Sequence, residues 1–128
     1  MSRFIPTVLA LLITFASTTV IASEVPFNQQ QLTAAQSAGK SVVVAFHAKW
    51  CPTCRAQAPI LESLMRTPEM KGVTLYIADF DKEKALRRSL SVKQPSTIVV
   101  FKGSKEISRA WGEVQRESLA ALLKKALT

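Results

Sequence analysis

A continuous apolar run that ends at the chain's two cysteines restricts the possible folds more than any other feature of this sequence. Residues 42–54 read VVVAFHAKWCPTC, and only two residues separate Cys51 from Cys54. The β-branched run from Ser41 to Ala48 does not alternate with polar residues, which is typical of a strand covered on both faces. A helix is expected to begin around the cysteine pair. Both thiols would then lie at a junction between a strand and a helix.

The rest of the chain predicts helices that alternate with strands, followed by a hairpin. The predicted elements, in chain order, are a helix over 29–36, the strand over 41–48, the helix that carries the cysteines, a strand over 73–78, a helix over 82–90, a hairpin of 97–101 with 106–111, and a helix over 117–126. Asn28 and Asp81 are candidate N-caps, and Pro59 is expected to kink the cysteine helix. This order predicts an α/β fold, with a mixed sheet of four to five strands and helices on both faces.

The N-terminal residues have the composition of a secretory signal peptide. One positive charge is followed by a mostly apolar stretch, and no further charge occurs until Glu24. Val20 and Ala22 fit the −3 and −1 positions of a signal-peptidase site. We therefore expect a leader over residues 1–22 and a single domain over residues 23–128. An uncleaved membrane anchor is the alternative, since the uncharged span is just long enough to cross a bilayer.

The excess of positive charge is spread along the whole chain. The sequence has 17 Lys and Arg residues against 9 Asp and Glu residues, which gives a formal net charge of +8. Like charges do not occur in long blocks, and aromatic residues are not interleaved with the basic ones as a nucleic-acid platform requires. We expect a solvated basic surface and no nucleic-acid partner.

The cysteine pair could serve as a structural crosslink, a metal site or a redox centre. A disulfide across so small a loop removes little entropy from the unfolded chain. A structural zinc site needs four ligands, whereas this chain offers two Cys and one His. At a helix N-terminus, however, a Cys51 thiolate is favoured and can attack a disulfide, and Cys54 can then resolve the mixed disulfide. We interpret the pair as a redox centre that forms a reversible Cys51–Cys54 disulfide, without metal or cofactor.

The motif WCPTC at residues 50–54, followed by Pro59 in the same helix, resembles the thioredoxin family. The resemblance covers roughly residues 41–127 and implies the thioredoxin fold and a thiol–disulfide oxidoreductase. Pro-Thr between the cysteines is similar to secreted bacterial thiol–disulfide reductases. The resemblance thus implies a monomeric periplasmic reductase, exported or anchored, that acts on protein disulfides and receives electrons from a membrane thiol donor. The residues expected around the cysteines are His47, Trp50, Pro52, Thr53, Pro95 and Ser96.

Two buried charges that are usual in this family are replaced by apolar residues here. Ala45 occupies the position where the family usually has an Asp that assists proton transfer at the resolving cysteine. Ile77 occupies the position of that residue's usual Lys partner on the next strand. We therefore expect no internal carboxylate base to act on Cys54, so that its deprotonation relies on water.

Two further positions near the cysteines depart from the family pattern. His47 stands where an aromatic residue is common; it can act as a proton relay to Cys51 or pack as a ring, and we favour packing. The family places a cis-proline directly before a Thr, but here Ser96 precedes Thr97 and Pro95 lies one residue early. We expect Pro95 to supply the cis bond, because X–Pro bonds are the common route to cis peptides. The alternative is that Ser96 faces the sulfurs and Pro95 is trans.

Two other classes of function remain open from the sequence. One is a noncatalytic binding module that uses an apolar surface formed by Trp50 and Pro95. The other is a metal or iron–sulfur carrier that shares Cys51 and Cys54 between two chains. Trp111, which resembles the family's apolar residue at the end of the hairpin, is expected to be a core residue rather than part of a docking surface.

Overall fold

The computed structural model describes residues 23–128, and the predicted leader over residues 1–22 lies outside them. The elements, in chain order, are β1 Ser23–Pro26, α1 Gln29–Ser37, β2 Ser41–His47, α2 Pro52–Met65, a 3-10 turn at Pro68–Met70, β3 Thr74–Asp79, α3 Lys84–Ser89, β4 Thr97–Lys102, β5 Lys105–Trp111, α4 Arg116–Lys124 and a 3-10 turn at Lys125–Leu127. Within this part of the chain, no helix is both long and apolar enough to span a membrane.

The strands form one mixed sheet in the order β1-β3-β2-β4-β5. β1 and β2 run parallel to β3, whereas β4 is antiparallel to both β2 and β5. β2 therefore occupies the centre of the sheet, and its residues from Val42 to Phe46 are all buried. This explains the continuous apolar run, because a central strand covered on both faces has no solvent side. The predicted fold class is confirmed, with five strands.

Alternate residues of β2 contribute to two separate hydrophobic layers, one on each face of the sheet. Val42 and Val44 pack with Leu32 of α1 and Leu86 of α3. On the opposite face, Val43 and Ala45 pack with the buried leucines of α2 and α4, which are Leu61, Leu64, Leu119, Leu122 and Leu123. Helices therefore cover both faces, as predicted, and α2 holds the cysteine pair at one end of the sheet.

The two predicted helix caps have different outcomes. Asn28 caps α1 as expected, because its Oδ1 accepts a hydrogen bond from the Gln31 backbone N–H at 3.0 Å. The prediction that Asp81 caps α3 is wrong. Asp79 Oδ1 instead accepts from the backbone N–H groups of Asp81 and Lys82. This turn delays the start of the helix until Lys84, because an Asp side chain that binds the next amides competes with helix formation.

The first strand and the last turn also differ from the sequence prediction. β1 was not predicted, since four residues are too short to show a periodic pattern. The last regular helix ends at Lys124 and continues as a 3-10 turn. The tighter turn buries Ala126 and leaves Leu127 44% exposed.

Candidate active site

The cysteine pair lies at the junction between β2 and α2, as the sequence predicts. Cys51 is the N-cap of α2, and its Sγ accepts a hydrogen bond from the Cys54 backbone N–H at 3.2 Å. Pro52 occupies the first helical position, where its fixed φ suits the helix and its missing N–H costs no hydrogen bond. Thr53 completes the first turn and is half-buried. The helix N-terminus therefore presents backbone donors to the Cys51 sulfur.

The two thiols differ in their access to solvent. Both are free thiols in this structure, with Cys51 5% exposed and Cys54 1% exposed. The Cys54 Sγ faces inward and lies 3.8 Å from the Phe46 carbonyl oxygen, to which its thiol donates. A substrate disulfide can therefore approach Cys51 more readily than Cys54, and this supports Cys51 as the nucleophile.

Burial has a clear effect on the acidity of the inner thiol. The pKa of Cys54 is raised from its ordinary value of 9.0 to about 11, chiefly by burial and also by the hydrogen bond and charge of Cys51. The backbone of Ala48 and of Ser96 acts in the opposite direction and lowers the pKa of Cys54. Cys54 is consequently protonated at neutral pH. A Cys51 sulfur in a mixed disulfide carries no negative charge. The charge of Cys51, which raises the Cys54 pKa, is therefore absent at the step where Cys54 must react.

A buried glutamine of α2 connects the site to two other segments. The Gln57 Nε2 donates to the Ser96 carbonyl oxygen at 3.2 Å and to the Glu113 carbonyl oxygen at 2.8 Å. The sequence interpretation missed this residue. A signal was present, since Gln57 lies three residues after Cys54 and four before Leu61, on the inward face of the helix. A polar side chain on such a face indicates a buried hydrogen-bonding role.

Trp50 forms an exposed flat surface beside Cys51. Its side chain is 60% exposed, and its Nε1 donates to the Asp81 Oδ2 at 2.8 Å. The indole packs edge-on against Phe80, with 6.4 Å between the ring centroids. This hydrogen bond and this contact fix the orientation of the ring, and the predicted placement of Trp50 next to the cysteines agrees with the structure.

Comparison with known proteins identifies the family. The Thioredoxin family model matches residues 19–125. The chain belongs to the thioredoxin family. It is 33% identical over 84 residues to a thioredoxin of Chlamydia trachomatis, an alignment that covers 66% of this chain and 80% of that protein. It is 32% identical over 94 residues to a thioredoxin H-type of Brassica campestris, covering 73% of this chain and 75% of that one.

A larger relative and a solved structure extend this finding. The chain is 34% identical over 106 residues to a putative protein disulfide-isomerase of Schizosaccharomyces pombe. This alignment covers 82% of this chain but only 22% of that protein. The crystal structure of Trxlp from Edwardsiella tarda superimposes with a TM-score of 0.77 and 31% identity, covering 79% of this chain and 98% of that one. This chain is a thioredoxin-family thiol–disulfide oxidoreductase with the thioredoxin fold.

The two apolar replacements in this thioredoxin-family protein are neighbours in the sheet. Ala45 on β2 pairs in register with Ile77 on β3, as expected from the sequence. Ala45 is buried and Ile77 packs against the same hydrophobic layer. Among residues 23–128, no carboxylate contributes to the pKa shift of Cys54. Deprotonation of Cys54 by water remains a prediction that follows from this arrangement.

The expectation that Pro95 supplies a cis peptide bond is wrong, because residues 23–128 contain no cis peptide bond. Ser96 has a positive φ of 63°, so the backbone turns there in the left-handed region while the bond before Pro95 is trans. The Ser96 backbone N–H donates to the Phe46 carbonyl oxygen at 2.8 Å. The alternative, a trans bond before Pro95, is therefore the observed one, and Ser96 binds the same Phe46 carbonyl that accepts from the Cys54 thiol. Pro95 is buried, so it does not contribute to an apolar docking surface with Trp50.

His47 is half-buried at the end of β2 and pairs in register with Asp79 on β3. Its backbone carbonyl accepts from the Phe80 N–H at 2.9 Å. Among the described residues, its side chain forms no hydrogen bond, which favours packing over a proton relay. Its chemical role remains a prediction. The same part of the chain contains no group of three or more His, Cys, Asp or Glu residues placed to hold a metal ion.

Trp111 differs from its predicted burial. Its side chain is 66% exposed, so the expectation of a core role is wrong. The physical reason is that β5 is an outer strand of the sheet, with most of its residues exposed. Trp111 pairs with Thr97, directly after Ser96. It therefore provides a second exposed aromatic side chain, on the outer strand β5.

Proposed function

We propose that this protein is an exported disulfide reductase that acts on protein disulfides through Cys51 and Cys54. The observation that carries the proposal is the arrangement of the two thiols at the start of α2. Cys51 is the N-cap of α2, and Cys54 lies one turn further along the helix with its backbone N–H bonded to the Cys51 Sγ. This is the geometry needed for attack by one thiolate and resolution by the other.

The proposed reaction has two displacement steps. The Cys51 thiolate attacks one sulfur of the substrate disulfide, so that a mixed disulfide forms and the first substrate thiolate leaves and takes up a proton. Cys54 then loses its proton to water, and its thiolate attacks the Cys51 Sγ. The Cys51–Cys54 disulfide forms, and the second substrate thiolate leaves and is protonated. Two electrons pass from the protein to the substrate, and a dithiol donor must return them.

The proposed direction of transfer rests on the Pro-Thr pair between the cysteines, which is similar to the pair in secreted bacterial thiol–disulfide reductases.

The proposed location is the bacterial periplasm, with the protein released or anchored by its N-terminal segment. This part of the proposal rests on the apolar composition of residues 1–22 and on the candidate cleavage site before Ser23. Because that compartment oxidises thiols, the proposal includes a membrane thiol donor that returns electrons to a monomeric protein. The proposed location is tested by cell fractionation and by N-terminal sequencing of the protein. A chain that begins at Met1 and is found in the cytoplasmic fraction would contradict it.

The direction is tested by the reduction potential of the cysteine pair, equilibrated against glutathione at neutral pH. Values for this fold range from roughly −270 to −120 mV, and we expect one near the reducing end. Reduction of insulin disulfides by the wild-type dithiol should be lost in Cys51→Ser, whereas Cys54→Ser should accumulate a mixed disulfide with the substrate. A potential near the oxidising end, or unchanged insulin reduction in Cys51→Ser, would contradict the proposal.

A further inference from the structure

A basic cavity lies against α3 and the segment that leads to Ser96. It has a volume of about 470 Å³, within the range of small-molecule and side-chain binding sites. Its lining residues are Lys84, Arg87, Arg88, Ser91, Val92 and Lys93. Four of these six residues are cationic and none is acidic. The chemistry of the cavity therefore fits an anionic group.

The cavity's cations are not neutralised by neighbouring carboxylates. The ion pairs of residues 23–128 involve Arg66, Arg109 and Lys124, and none of them includes a cation of the cavity. Asp81, which precedes α3, accepts a hydrogen bond from the Trp50 indole. In addition, the Arg87 Nε is buried and has no hydrogen-bond partner in the described part of the chain. A buried donor without a partner is unusual, and here it belongs to a side chain that lines the cavity.

The cavity is connected to the active site through a chain of packed side chains. The Arg87 guanidinium lies over the Phe80 ring, 3.6 Å from its centroid, and its Nη1 donates to the Phe80 carbonyl oxygen at 3.1 Å. Phe80 in turn packs against Trp50, which precedes Cys51. Lys93 lies three residues before Ser96, whose backbone is hydrogen bonded beside the cysteines. A polypeptide attacked by Cys51 can thus reach the cavity with a neighbouring segment.

We propose that this cavity binds acidic side chains of the disulfide substrate and so selects proteins with Asp or Glu near the disulfide that is reduced. The proposal rests on the proposed function for the identity of its ligand as a substrate. A nucleic acid fits less well, because the lining offers no aromatic face for base stacking. The exposed cations of the cavity attract an acidic segment.

Binding is measured separately from redox chemistry, by fluorescence anisotropy with a labelled peptide that contains four Glu residues and no cysteine. The test variant is Arg88→Glu with Lys93→Glu, since both side chains are exposed and line the cavity. The matched control is Lys71→Glu with Lys105→Glu, which changes the net charge equally at exposed positions outside the cavity. We expect the test variant to bind roughly tenfold more weakly, since each exposed charge pair contributes about 0.2–1 kcal/mol. The control should bind nearly as the wild type does, and added salt should weaken binding.

The kinetic consequence is measured with two peptide disulfides that differ only in Glu or Gln residues beside the cysteines. The wild type should reduce the acidic peptide with a higher kcat/KM, and this preference should disappear in the test variant while reduction of the neutral peptide is unchanged. Equal binding by the test and control variants would overturn the proposal. So would tighter binding of an RNA oligonucleotide, or full competition by millimolar inorganic phosphate, which would indicate a site for free anions. Peptide binding that depends on Arg88 and Lys93, without disulfide reduction, would retain the basic site for acidic peptides and reject the proposed function.

Discussion

The side-chain amide of Gln57 donates a hydrogen bond to the backbone carbonyl of Ser96, across 39 residues of sequence, at 3.2 Å. This bond joins the cysteine helix α2 to the segment that faces the inner thiol. The same carbonyl also accepts from the Gly112 N–H at 3.2 Å. One carbonyl oxygen thus connects α2, the start of β4 and the end of β5, and the position of Ser96 relative to Cys54 depends on it.

Replacing Gln57 by Leu should destabilise the protein, because the Ser96 and Glu113 carbonyls would lose a buried donor. The expected loss of unfolding free energy is roughly 1–3 kcal/mol, measured by urea denaturation. Gln30→Leu is the control, since Gln30 is exposed on α1, and it should change stability by about 0.5 kcal/mol or less. Equal effects of the two substitutions would show that the Gln57 bonds do not stabilise the site.

The stability of the reduced protein should fall at alkaline pH because of Cys54. Folding raises the pKa of this thiol from 9.0 to about 11. The protonated thiol therefore contributes its full stabilisation below pH 9, and this is lost as the pH rises through about 11. Urea denaturation of the dithiol form across this range should show a steeper decline for the wild type than for Cys54→Ser. Parallel declines would mean that burial does not raise the Cys54 pKa.

Introducing a carboxylate at Ala45 should be costly here, because its neighbour across the sheet is Ile77 rather than a cation. A buried carboxyl without a partner has a raised pKa, so its cost grows as the pH rises above the ordinary value for Asp. We expect Ala45→Asp to lose roughly 1–3 kcal/mol at pH 8 and less at pH 5. Ala45→Asn, of similar size, should show little difference between the two pH values. A pH-independent loss in Ala45→Asp would contradict this explanation.

Placing a proline at Ser96 should destabilise this protein, even though the family has proline at that register. Ser96 has a φ of 63° and its N–H donates to the Phe46 carbonyl, whereas proline fixes φ near −65° and has no N–H. Ser96→Pro is expected to cost about 3 kcal/mol or more, measured by thermal and urea denaturation.

Ser96→Gly provides the matched comparison for this backbone argument. Glycine keeps the N–H and adopts positive φ without strain, so its stability should lie within about 1 kcal/mol of the wild type. A proline variant as stable as the glycine variant would contradict the left-handed conformation of Ser96.

Local patterns were sufficient to predict the centre of the fold and the cysteine pair. The run from Val42 to Phe46 predicts a covered strand because each of its residues is apolar. The position of Cys51 at a helix start follows from the abrupt end of that run, and the Asn28 cap acts within one turn of its own helix. The motif at residues 50–54 then specified the family, which the comparisons confirmed.

The features that the sequence did not predict depend on contacts between distant segments. The roles of Gln57 and Ser96 follow from hydrogen bonds that join α2 to the chain before β4. Trp111 is exposed because β5 is an outer strand, and strand order is not visible in the local pattern. Asp81 accepts a hydrogen bond from the Trp50 indole, 31 residues away in the sequence, and this contact is likewise not visible in the local pattern.

The short strand β1 has a consequence for self-association. It covers the outer side of β3, with Ser23 aligned to Thr74 and Pro26 to Ile77. A chain shortened to begin at Phe27 would leave β3, whose sequence TLYIAD is largely apolar, as an open edge able to pair with a strand of another molecule. β1 itself is a poor partner for such pairing, because it is only four residues long and presents an exposed charge and a proline. Those four residues therefore protect the protein from aggregation through strand pairing at this edge.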